Sequence, residues 1–90
     1  MEPGRFPNKL KMFRHCQGYS QKKVARLLGL TDTSTLSRWE RGSMLPSLIH
    51  VLKLARIYHA EPNELYEVLW NQIVTDNNLS PKEGEPFSSN

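Results

Sequence analysis

The sequence predicts an all-α domain of five short helices, and three observations carry that prediction. Apolar residues recur at helical spacing in successive stretches, and no alternating run reads as a strand. Gly18, Gly29 and Gly42 stand where short helices should stop. Ser20 and Asp32 stand where helices should start, while Pro46-Ser47 and Pro62 open the last two. Ninety residues make one small domain, whose core suffices only if it is compact.

Residues 1–8 contain two prolines and a glycine and are expected to form a flexible arm, with the helical domain over 9–74. The first helix, 9–17, sets Leu10, Met12 and Phe13 at nearly helical spacing and ends at Gly18. Ser20 caps the second, 21–28, where Val24, Ala25 and Leu28 form the buried stripe. Gly29 supplies backbone freedom for the turn. Asp32 caps the third, 33–41, with its carboxylate on the favourable end of the helix dipole. The fourth, 48–58, places Leu48, Val51, Leu52, Ala55 and Tyr58 on one side, the strongest periodicity in the chain. The fifth is expected over 62–74, with Pro62 in its first turn. Residues 75–90 have almost nothing to bury and read as a disordered tail.

The net charge of +3 is unevenly divided. Residues 1–60 carry eleven lysines and arginines against three acids, whereas 61–90 carry one lysine against six acids. A basic body with an acidic tail suits a polyanionic partner. Cys16 is the only cysteine, so no internal disulfide can form and a reducing compartment fits; its thiol is expected to be half-buried. His15, His50 and His59 are too scattered for a metal site. No apolar run approaches the ~20 residues of a membrane span, and the start does not read as a signal peptide. A soluble cytoplasmic protein without metal or cofactor is expected. It is not expected to be an enzyme: there is no activated nucleophile, paired-carboxylate constellation or cofactor loop.

The segment from Tyr19 to Gly42 divides its labour by face. The third helix turns Leu36 and Trp39 one way and Thr33, Ser34, Ser37, Arg38 and Arg41 the other. The first pair suits a hydrophobic core. The second set suits a DNA major groove, where the second of two braced helices presents its side chains to base edges. Small residues are needed where the two helices of such a pair approach, and Ala25 and Gly29 occupy those places; the alternative is an ordinary helical hairpin of the kind found in many small bundles.

From Leu10 to about Leu65 the chain resembles the lambda-repressor/Cro-like, or XRE-like, helix-turn-helix family. The matching pieces are LKMFR with a glycine four residues on, SQ opening the second helix, LSRWERG closing the third, and PSLIHVLKLA for the fourth. The resemblance implies a compact five-helix DNA-binding domain. It implies that Gln21 meets a phosphate at a helix N-terminus, with Lys22 beside it. Thr33 and Ser34 match positions that read bases. Arg38 lies one turn on, where arginine can bond guanine O6 and N7 together. Arg41 and Ser43 match phosphate-contacting positions, and exposed Ser37 could touch either. Glu40 pairs, by the same resemblance, with Arg14 of the first helix, tying the third helix to the body. Gly29 and Gly42 stand thirteen residues apart, one more than is usual in the family. Leu36, Trp39 and Glu40 keep their usual distances to Gly42, which puts the extra residue in Leu30-Thr31-Asp32.

Such proteins generally bind as dimers to a palindromic operator, and Leu65, Leu69, Trp70 and Ile73 form an apolar stripe that could serve a homodimer or fold back on the first helix. Three functions stay open. One is a transcriptional regulator, a repressor, on double-stranded DNA. The second is a DNA-binding antitoxin whose acidic end holds a toxin partner. The third is a protein-interaction module that does not use DNA.

Overall fold

The computed structural model describes residues 4–77, with side chains as far as Ile73. Six helices occupy them: α1 (Leu10–Cys16), α2 (Gln21–Leu28), α3 (Ser34–Glu40), α4 (Leu48–Tyr58), α5 (Pro62–Leu65) and α6 (Glu67–Asn77), with no strand among the described residues. Serine hydroxyls open α2 and α4. Ser20 Oγ accepts from Lys23 N at 3.0 Å, and Ser47 Oγ from His50 N at 3.3 Å, each satisfying an N–H that a helix start leaves without a partner. Asp32 Oδ1 takes the Ser34 N–H at 2.9 Å, so α3 begins at Ser34, one residue later than expected.

The first four helices close in one way, with an N–H reaching back five residues to a carbonyl. The bonds are Tyr19 N to Arg14 O, Leu30 N to Ala25 O, Ser43 N to Arg38 O and Ala60 N to Ala55 O, all 2.9–3.2 Å. Each closure needs a left-handed residue. Glycine fills it three times, but α4 ends on His59 at φ 55. A side chain there costs roughly 1 kcal/mol or more. His59→Gly should therefore raise stability by about 1 kcal/mol in a urea titration; an unchanged or lower midpoint would refute the strain.

Leu10, Val24, Leu28, Leu36, Trp39, Leu54, Ala55, Tyr58, Leu65 and Tyr66 form one buried cluster. Several expectations change here. On α4 the inward stripe is Leu54, Ala55 and Tyr58 with Val51 half-buried, while Leu48 and Leu52 are exposed. Apolar residues line both sides of this helix, so periodicity alone could not choose between them. Gly29 is exposed, and a Cβ there would meet nothing within 4 Å. It serves the turn's φ of 75°, and close helix approach rests on Ala25. Cys16 is exposed rather than half-buried.

The single helix expected over 62–74 is two. Leu65 O accepts the Lys9 N–H at 2.9 Å instead of continuing the helical ladder, and Tyr66 leaves helical geometry at φ −126° and ψ 49°. The break lets consecutive Leu65 and Tyr66 both face the core. Leu65 is fully buried and cannot belong to an exposed seam. α6 then runs to Asn77, past the expected start of the tail at 75; the rest of that tail, 78–90, lies outside the described residues.

Residues 4–8 do not form a loose arm. Phe6 N donates to Gly42 O at 3.0 Å, and Asn8 Nδ2 donates to Trp39 O at 2.8 Å. Asn8 Oδ1 also accepts the Leu10 N–H at 3.0 Å, fixing the start of α1. Gly4 lies so close to Arg41 and Gly42 that a Cβ would overlap their backbone. This short strap crosses the C-terminal end of α3. Residues 1–3 of the expected arm lie outside the described residues.

Candidate nucleic-acid interface

Local sequence sets the two faces of α3. Leu36 and Trp39 are its apolar residues, and both are buried at 0% and 3% exposure. Ser34, Arg38 and Arg41 are exposed, with Ser37 and Thr33 half-buried between the faces. The Trp39 ring lies 5.1 Å from the His50 ring of α4, so the inner face is clamped on the next helix as well as on the core.

Glu40, beside this face, is turned inward and neutralised. Arg14 Nε reaches Glu40 Oε2 at 2.6 Å and Nη2 reaches Oε1 at 3.1 Å, with both side chains buried. Arg14 Nη1 donates to Tyr19 O at 3.0 Å, so the guanidinium also grips the turn before α2. Hydrogen bonds to Glu40 raise the Arg14 pKa beyond its already high range. Gln21 Nε2 donates to Glu40 Oε1 at 2.9 Å. One carboxylate thus joins the three helices α1, α2 and α3 through charge-assisted bonds.

Gln21 is therefore not a free side chain waiting at the start of α2. One amide hydrogen is engaged with Glu40, and an amide carries two. Lys22 beside it is exposed. The Ser34 hydroxyl and N–H both donate to Asp32 Oδ1. Those bonds hold the Asp32 carboxyl below its ordinary range, with the charge of Arg38 adding to the effect. A depressed carboxyl contributes stability above its unfolded pKa and loses it as pH falls through the lower folded value. This cap therefore holds at neutral pH. Ser37 Oγ accepts from Arg41 Nη1 at 2.9 Å, and Ser43 Oγ donates to Arg38 O at 3.2 Å. Arg38 and Lys22 make no hydrogen bond or ion pair through their side chains among the described residues.

The candidate residues named from the sequence are thus gathered on and beside α3 and at the start of α2. The strap residues Arg5, Phe6 and Asn8 were not anticipated beside α3, because the prolines and glycine around them read as looseness. Asn8 just ahead of the apolar Leu10 was the available signal, a side chain suited to capping α1. Two buried phenols complete the surroundings. Burial pushes Tyr66 up to about 12 and Tyr58 higher still, and neither hydroxyl has a hydrogen-bond partner among the described residues.

Residues 10–65 match a family described as helix-turn-helix. Over 81 residues the chain is 28% identical to multifunctional protein pyr1-3 of Dictyostelium discoideum, covering 90% of this chain but 4% of that protein. Over 59 residues it is 32% identical to an uncharacterized HTH-type transcriptional regulator, YgzD, of Bacillus subtilis (strain 168). That match covers 66% of this chain and 88% of the regulator. No solved structure matches with comparable significance.

Proposed function

Because this chain belongs to the XRE-like helix-turn-helix family of DNA-binding transcriptional regulators, we propose that it is a repressor reading a specific double-stranded operator with α3 in the major groove. The observation that carries this reading is the division of α3. One face is locked by Leu36, Trp39 and the Arg14–Glu40 pair, and the other offers Ser34, Arg38 and Arg41 with no carboxylate ion-paired to either arginine among the described residues.

In this reading Arg38 bonds the O6 and N7 edge of a guanine, and Thr33 and Ser34 meet neighbouring bases. Because the Ser34 hydroxyl already donates to Asp32, it reads a base by accepting. Arg41, Ser43, Lys22 and the second amide hydrogen of Gln21 meet phosphates, while Ser37 positions Arg41. One recognition helix spans few base pairs, so the protein acts as a homodimer on a palindromic site with half-sites one turn apart. Exposed Trp70 and Ile73, with half-buried Leu69, are the surface proposed for that dimer.

Selection of bound sequences from random DNA, with a mass measurement of the complex, tests both claims. Arg38→Ala should cost ~1–3 kcal/mol of specific binding and relax discrimination at one base position. An unchanged preference for the selected operator over random DNA would refute the base-reading role. The acidic balance of residues 61–90 favours the antitoxin as the second reading. A basic partner protein co-purifying with the chain would select it.

A further inference from the structure

The strap before α1 carries a cation to the end of the recognition helix. Its two neighbours fix Arg5 in place: Gly4 sits against the Arg41 and Gly42 backbone, and Phe6 N–H is bonded to Gly42 O at 3.0 Å. Phe6 packs on the core, while Arg5 is exposed with its guanidinium 5.4 Å from the Phe6 ring centroid. Among the basic residues near α1, Lys9 is paired with Glu67 and Arg14 with Glu40. Arg5 has no carboxylate partner among the described residues and stands beside the helix that carries Arg38 and Arg41.

Gly42 is built to keep this contact. It is buried at φ 77°, and a Cβ on it would fall 2.7 Å from Phe6 O. A glycine is thus required on both sides of the crossing, at Gly4 and at Gly42, for the strap to lie this close. Such closeness needs no charged residue for the fold itself, since backbone bonds and Phe6 hold the strap.

We propose that Arg5 is a further DNA-binding residue, a phosphate contact extending the interface past the C-terminal end of α3. The proposal rests on the DNA-binding reading above. Arg5 adds one cation to the backbone track that Arg41 begins, and its stacking on Phe6 limits the freedom it loses on binding. A phosphate contact carries no base information, so its signature is electrostatic.

Salt titrations of operator and random-sequence binding by the full chain test it, alongside Arg5→Ala, Arg5→Lys and Gly4→Ala. Arg5→Ala should reduce the slope of log affinity against log salt by about one and weaken operator and random DNA alike. Its melting temperature should fall only slightly, through loss of the exposed Arg5–Phe6 contact, because the side chain has no ion-pair partner among the described residues. Arg5→Lys should restore the slope. Gly4→Ala should lose it although Arg5 is still present, because the strap is displaced. An unchanged slope in Arg5→Ala, with the unaltered chain binding normally, overturns the strap contact alone. A loss confined to one sequence overturns the phosphate assignment. Failure of the unaltered chain to bind any DNA overturns the DNA reading and this contact together.

Discussion

Glu40→Ala should destabilise the fold by about 3–5 kcal/mol, the cost of removing one member of a buried ion pair. The deletion leaves the Arg14 Nε and Nη2 donors buried without acceptors, with only Tyr19 O still bound. Gln21 loses its acceptor as well. Much of the loss is the penalty of a stranded charge, and that gives a sharp control. Replacing both partners with methionine should recover most of the stability, because the interior then holds no uncompensated charge. Urea unfolding of Glu40→Met, Arg14→Met and the double variant measures the coupling. If the double variant were as unstable as the sum of the singles, the pair would not be acting as a pair.

Trp39→Ala should cost a similar ~3–5 kcal/mol, but through a cavity rather than a charge. The indole is 3% exposed and packs on His50, and the Trp39 carbonyl receives the Asn8 amide. Losing the ring therefore slackens α3 against α4, and through the Trp39 backbone the loss reaches the strap. Trp39→Phe keeps much of the buried area and should be the milder change. Trp70 is half-exposed, so in a Trp70→Phe background the buried indole becomes a single reporter of core packing. Its emission should be blue-shifted in the folded protein and move red as urea unfolds it. An emission already red in the native state would place Trp39 outside the core.

These two positions also show what the sequence could disclose. The all-helical class was legible because caps, glycines and apolar spacing agree with one another over α1 to α4. The faces of α3 were legible because only Leu36 and Trp39 on it are apolar. On α4 the same logic failed: Leu48, Ile49 and Leu52 are as apolar as the stripe that is buried. Which side faces inward is decided by where α5 and Trp39 lie, and that information is not local. The break at Tyr66 was equally hidden, since it depends on a carbonyl taken by Lys9 from the other end of the domain. The Gln21–Glu40 bond was missed because spacing places a residue on a helix but does not choose its partner.

That bond from Lys9 to Leu65 has a temporal meaning. It joins the two margins of the family-matched segment, so α1 is synthesised well before the residues that secure its start. Lys9 and Glu67 add an ion pair at 2.7 Å across the same junction. A nascent chain ending short of Leu65 has the whole helix pair that would face DNA but no clasp around it. The clasp on the proposed DNA-binding pair therefore comes late in synthesis, after both of its helices have been made.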